Sequence, residues 1–123
     1  MKWFISYDAT QAILFVETQG LLDPASGAQM VQECVQKLNE LNCRKCLVDH
    51  RGLEEVSHST MDWYNVPKLL RQLGFPHYIK IANVIPTKFG SDSHFLETVA
   101  HNQGYGLIKN FSNYEIALNW LKK

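Results

Sequence analysis

From Ile81 to Ile85 the chain is apolar at every position except Asn83. A strand of this kind, here Tyr78–Ile85, has no wet face. It belongs in the middle of a largely parallel sheet with layers packed on both sides. The rest of the sequence supplies such a sheet. Lys2–Tyr7 and Gln11–Thr18 are rich in Trp, Phe, Ile and Val, and Asp8-Ala9-Thr10 between them reads as the turn of a β-hairpin. Gly20 is expected to break the second run. Asp23-Pro24 marks a helix start, with Asp as N-cap and Pro at the first helical position. Behind it Ala28, Val31, Cys34, Val35, Leu38 and Leu41 recur at three- and four-residue spacing, which predicts an amphipathic helix of about five turns.

Lys45–His50 reads as a short strand ending in charge. Ser57-His58-Ser59-Thr60 is a cluster of capping residues ahead of Met61, Val66, Leu69, Leu70 and Leu73, so a helix is expected from about Ser59, kinked near Pro67 and closed by Gly74. After the apolar strand, Ser91 or Asp92 caps a helix through Phe95, Leu96, Val99 and Ala100 that stops at Gly104. Gly106–Phe111 is the last strand. Ser112-Asn113-Tyr114-Glu115 has the form of a capping box, opening a helix that carries Ala117, Leu118, Trp120 and Leu121. The order is ββαβαβαβα. It predicts an α/β fold with a mostly parallel five-stranded sheet whose first strand is antiparallel. No repeat or linker interrupts residues 1–123, so one domain is expected.

Charge narrows the function. Twelve Lys and Arg balance twelve Asp and Glu, which removes the electrostatic case for nucleic acid or an anionic membrane as partner. A net charge of zero also leaves little repulsion between copies, so a homodimer is compatible with the composition. No signal peptide is expected from a start that leads into Asp8, and no apolar run is long enough for a membrane span. Three Cys cannot all pair within one chain; they read as reduced thiols of a cytoplasmic protein.

Three strings carry a resemblance. They are Leu47-Val48-Asp49-His50-Arg51, the run from Phe95 to Gly104 (FLETVAHNQG), and Asn110-Phe111 followed by Glu115-Ile116-Ala117-Leu118-Asn119-Trp120-Leu121. Together with the element order they resemble the SpoIIAA-like group of STAS-type domains. In that group a strand ends in an Asp-containing loop, a late helix reads F-x-E-T-x-A-x-N-x-G, and the chain closes on a short helix ending in Trp-Leu. The resemblance implies a βα superhelix and a regulatory, protein-binding role without catalysis. Anti-sigma-factor antagonists of the wider family carry a phosphorylatable Ser in an Asp-Ser-Ser-Gly string. The matching stretch here, Ser57-His58-Ser59-Thr60-Met61-Asp62, has hydroxyls but neither the Ser-Ser pair nor the Gly.

The candidate partner or ligand surface is Asp49-His50-Arg51, with Trp63 and Tyr64 beside it. Open α/β sheets place ligands at the carboxyl ends of parallel strands. Asp accepts hydrogen bonds, Arg grips anions, and His changes charge near neutral pH. As a plain loop salt bridge, the same string would pair Arg51 with Glu54 or Glu55. Ser57, Ser59 and Thr60 are either helix caps or phosphorylation sites. Trp63 and Tyr64 suit an apolar crevice or dimer patch, and most other aromatics, including Trp3, Phe4, Tyr78 and Trp120, are expected in the core.

His94, Glu97 and His101 share one side of a helix, but the two imidazoles stand about 10 Å apart along its axis, too far to share a metal. Cys43-Arg44-Lys45-Cys46 is a single C-x-x-C string that follows a helix. It lacks a second ligand pair and the helix N-terminus that activates a dithiol, so Cys46 is expected in the core and Cys43 is incidental. No metal or cofactor is expected, and no nucleotide-binding, hydrolase or zincin string occurs. Together with the absence of these strings, the resemblance to STAS-type domains implies a non-catalytic module for a protein partner; the grouping of that family with SEC14-type carriers makes a small apolar ligand or lipid carrier the alternative.

Overall fold

The computed structural model describes residues 1–56, 72, 74, 78–86 and 108–123. Among them are strands β1 (Lys2–Asp8), β2 (Ile13–Leu22), β3 (Lys45–Val56), β4 (Lys80–Val84) and β5 (Ile108–Phe111), and helices α1 (Pro24–Leu41) and α2 (Tyr114–Lys122). The strands form one sheet in the order β1-β2-β3-β4-β5, with β1 antiparallel to β2 and the other neighbours parallel. This is the expected α/β class and sheet.

The hairpin forms where its turn chemistry lies. The Asp8 carboxylate accepts from the Thr10 N–H at 2.9 Å, the Gln11 N–H at 3.2 Å and Gln11 Nε2 at 2.7 Å. These bonds, led by the Gln11 side chain, hold the Asp8 carboxyl below its ordinary pKa. The turn closes on Ala12 at φ +55°, the left-handed region, where an L residue is strained. Ala12→Gly should therefore stabilise the chain by about 0.5–1 kcal/mol after glycine's greater unfolded-state freedom is counted. A urea midpoint that fails to rise would show that the turn carries no such strain.

Asp23 caps α1, accepting from the Ser26 N–H at 2.8 Å. Asn42 ends the helix in the left-handed conformation at φ 50°, and the Cys43 N–H turns back to the Leu38 carbonyl at 2.9 Å. The strands then alternate between two covered faces. On one, Leu14, Val16, Cys46, Val48, Ile81 and Ile108 pack with Met30, Cys34, Val35 and Leu38 of α1. On the other, Ile13, Leu47, Ala82 and Val84 meet Ala117 and Leu121 of α2. Lys80 locks α2 in place. Its Nζ donates to the Trp120 carbonyl at 2.7 Å and stands 4.3 Å from that ring's centre. All three cysteines are free. Burial pushes the Cys34 thiol up to about 12 and Cys46 well above its ordinary value, so both stay protonated and unreactive. Cys43 is more than incidental: it is buried, with Sγ set against the carbonyls of Lys45 at 3.2 Å and Ala12 at 3.4 Å.

Several boundaries differ from expectation. Gly20 does not end β2. It adopts φ +91° and the strand continues paired to Leu22. β3 does not stop at His50 but runs to Val56, so Asp49-His50-Arg51 is strand rather than loop. The α2 cap is Asn113, one residue after Ser112, with its side chain accepting from the Ile116 N–H at 3.0 Å. Glu115 still lies in the first turn, where the helix dipole favours it. Phe4 and Tyr78 are exposed, at 55% and 59%, rather than in the core. Ser57–Met61, and the stretches where a kink near Pro67 and a helix through Phe95 and Val99 are expected, lie outside the described residues.

Candidate functional site

One lateral row of the sheet leads to the site. Phe4, Glu17, Asp49, Val84 and Phe111 are in register across all five strands. The β3–β4 ladder ends at Asp49 and Val84. Asp49 thus stands at the carboxyl end of the paired part of β3, where β4 stops and β3 goes on with β2 alone.

Beyond this row β3 bulges. From Glu17 to Gln19 β2 advances two residues while β3 advances three, from Asp49 to Gly52. His50 and Arg51 therefore face the single residue Thr18. A bulge bends a strand and re-aims its side chains. The three residues part for a simpler reason: alternate residues of a strand face opposite sides, so His50 points away from Asp49 and Arg51.

Asp49 and Arg51 join on the α2 face. Arg51 Nε donates to Asp49 Oδ1 at 2.9 Å and Nη2 donates to Oδ2 at 2.7 Å, while the Arg51 backbone N–H adds a bond to Oδ1 at 3.0 Å. Glu54 and Glu55, the partners expected from the sequence, give way to Asp49, which lies two residues before Arg51 on the same face of β3. The Asp49 side chain is 8% exposed and the Arg51 side chain 57%. The Arg51 guanidinium lies 4.8 Å from the centre of the Tyr114 ring, at the start of α2. Its hydrogen bonds to Asp49 raise the Arg51 pKa further, and burial raises that of the Tyr114 hydroxyl. The Arg51 guanidinium is held in place with its outer edge in water and its charge balanced by Asp49, and the phenol beside it stays neutral.

His50 belongs to the opposite, α1 face. It is buried, and Nδ1 lies 2.8 Å from Thr18 Oγ1. The Thr18 hydroxyl has one proton and donates it to the Asp49 carbonyl at 3.4 Å, so the arrangement satisfying both contacts has Nδ1 protonated and donating to Oγ1. Burial lowers the His50 pKa to about 4, against a smaller upward pull from Asp49. This corrects the expectation of a charge switch near neutral pH: the imidazole is neutral there. The three residues do not converge, and no nucleophile, base and orienting carboxylate stand in line among them.

Sequence reasoning missed Thr18, Gly52 and Tyr114 as parts of this site. Only Tyr114 left a signal, as an aromatic at the opening of the last helix. Asn83, the one polar break in the central strand, donates Nδ2 to Asn110 Oδ1 at 3.0 Å. Trp63, Tyr64, Ser57, Ser59 and Thr60 lie outside the described residues, as do His94, Glu97 and His101. Among the described residues, no helix is long and apolar enough to cross a membrane.

No family model matches the sequence, and no curated protein matches it. Solved structures do. An anti-sigma factor antagonist from Mycobacterium paratuberculosis superposes with a TM-score of 0.58 at 10% identity, over 99% of this chain and 96% of that one. The anti-sigma factor antagonist SpoIIAA in its unphosphorylated form gives a TM-score of 0.54 at 12% identity, over 98% and 96%. Element order, the lone antiparallel edge strand and these superpositions agree: the chain has the SpoIIAA-like, STAS-type fold.

Proposed function

We propose that this chain is a non-catalytic regulatory module, a single cytoplasmic domain that docks a protein partner on the surface around Arg51. The observation that carries the reading is the preorganised guanidinium. Arg51 is solvent-facing, yet the Asp49 fork and the Tyr114 ring already hold it in one pose. A partner that meets it loses little side-chain entropy, and arginines set this way are frequent binding hot spots. The shared fold of two anti-sigma factor antagonists supports the regulatory class. In this reading Asp49 orients Arg51 and His50 holds the bulge from behind, while Trp63 and Tyr64 as further partner contacts, and Ser57, Ser59 and Thr60 as helix caps or phosphorylation sites, are proposed from the sequence.

The test is crosslinked purification from the native cells with the wild-type chain and with Arg51→Lys. Lysine keeps the charge but cannot reproduce the fork or the stacking. The expected result is a stoichiometric partner whose affinity falls about thirtyfold in the variant, while circular dichroism shows the same fold. Failure to recover a stoichiometric partner, or equal binding by both chains, refutes the reading. A lipid or metabolite found by native mass spectrometry would replace it with a carrier function.

A further inference from the structure

We propose that two copies of this chain join through their β1 strands, antiparallel about a two-fold axis at Ile5, to form one continuous ten-stranded sheet. β1 is an edge of the sheet, and its outer side pairs with no described strand. Edge strands normally defend themselves with proline, a bulge, an inward charge or brevity. β5, the opposite edge, is four residues long and carries Lys109. β1 has none of these defences in its middle. It is seven residues long and pairs with β2 without a break from Lys2 to Asp8, and Trp3-Phe4-Ile5-Ser6-Tyr7 contains no charge or proline. Phe4 and Tyr7 are exposed along it, at 55% and 37%.

The strand complements itself. With the axis at Ile5, Lys2 of one copy stands opposite Asp8 of the other, and the same pair recurs at the far end. Trp3 meets Tyr7, Phe4 meets Ser6, and Ile5 meets Ile5. Directly opposed residues share a face of the sheet. Trp3, Ile5 and Tyr7 are in register with Thr18, Val16 and Leu14, on the face covered by α1. The aromatic pairs would therefore continue that apolar layer across the junction. The hydrogen bonds of its turn hold the Asp8 carboxyl below its ordinary pKa and so favour the anion that faces Lys2. A shift of register by two residues loses both ion pairs, so charge selects this alignment. The zero net charge of the chain opposes neither copy's approach. Such a contact is isologous and closed, which ends growth at the dimer. It lies on a different edge from Arg51, so its failure would leave the partner-binding reading untouched.

Sedimentation equilibrium from 1 to 100 µM, with two cysteine variants and one charge reversal, tests the proposal. The wild-type chain should pass from monomer to dimer within this range. Lys2→Glu turns two attractive contacts into two repulsive ones and should weaken the dimer at least tenfold, less so in 0.5 M salt. Opposed residues of antiparallel strands have Cα atoms about 4.5–5.5 Å apart, inside the window for a disulfide. Ile5→Cys should therefore crosslink two copies under mild oxidation. Ser6→Cys places its two Cα atoms about 8 Å apart, from the strand rise and spacing, and should not. The native thiols are buried and do not compete. A monomer at every concentration overturns the proposal, as does a dimer that Lys2→Glu leaves unchanged or that crosslinks at Ser6 as readily as at Ile5. Should Ile5→Cys fail to fold, the wild-type and Lys2→Glu sedimentation results decide alone.

Discussion

Replacing Gly52 with alanine should cost about 3 kcal/mol of stability, a large effect for one methyl group. A Cβ at this position would stand 2.6 Å from the Thr18 carbonyl oxygen and 3.1 Å from Gln19 Cγ. The first of these contacts is with backbone and cannot be relieved by turning a side chain. Thr18 sits in β2, which is held by β1 on one side and β3 on the other, and its hydroxyl is tied to His50. Relief requires β2 and β3 to separate at the bulge, which breaks the Thr18–His50 contact and loosens the strand that aims Arg51. Gly20 is glycine for a different reason. Its φ of +91° is a torsional requirement, and the nearest atom to a Cβ there is 3.8 Å away. Gly52 is a question of space. Thermal melts of Gly52→Ala should show a midpoint lower by roughly 10 °C. Stability within about 0.5 kcal/mol of wild type would mean that the strands part easily there, and the bulge would lose its role as a rigid mount.

The fold was legible in the sequence because its signals are local. Asp8 in a turn, Asp23 ahead of Pro24, and apolar spacing along α1 each depend on a few neighbouring residues, and each lies where it was expected. The apolar run near Ile81 announced a strand covered on both sides, and Ile81, Ala82 and Val84 are all buried. The boundaries that moved are those settled by pairing. Gly20 looks like a breaker in isolation, but β3 gives β2 a partner to follow past it. Charge after Val48 looks like a strand end, yet Asp49 and Arg51 neutralise each other within the strand. Ser112 and Asn113 are both good caps, and the choice between them depends on where β5 delivers the chain.

The candidate site was half legible. Asp49 and Arg51 do meet, at the carboxyl edge where α/β sheets present their recognition surfaces. The parting of His50 from them was hidden, because the string reads as the charged end of a strand, whereas β3 continues through it and alternation turns His50 to the other face. That continuation is set by pairing with β2, which the composition of β3 does not state. Tyr114 is a similar case. Its position under Arg51 arises only once α2 folds back across the sheet.

Acid should destabilise the chain well before its carboxylates protonate, and His50 should be the cause. In the unfolded chain an imidazole titrates at its ordinary 6.5, whereas in the folded protein burial lowers it to about 4. A depressed folded pKa means that the unfolded state takes up the proton first. The stability from a neutral His50 is therefore complete above pH 6.5, falls as the pH drops below it, and is fully lost below pH 4. At about 1.4 kcal/mol per unit the total is about 3 kcal/mol, a large share of what a domain of this size has in reserve. The carboxylates that the fold holds anionic, Asp8 and Asp23, have an ordinary value of 3.8, so their losses come at lower pH. The interval from 6.5 to 4.5 thus lies above those losses, and comparison with a chain lacking His50 separates its imidazole from the other four histidines. Urea unfolding of the wild-type chain across it should show a steep fall. His50→Gln should be less stable at pH 7, by about 1 kcal/mol for the altered contact with Thr18, but should lose little more down to pH 4.5. Parallel curves for the two chains would show that His50 accepts its proton in the folded state at no cost, and that the bulge does not seal it from water.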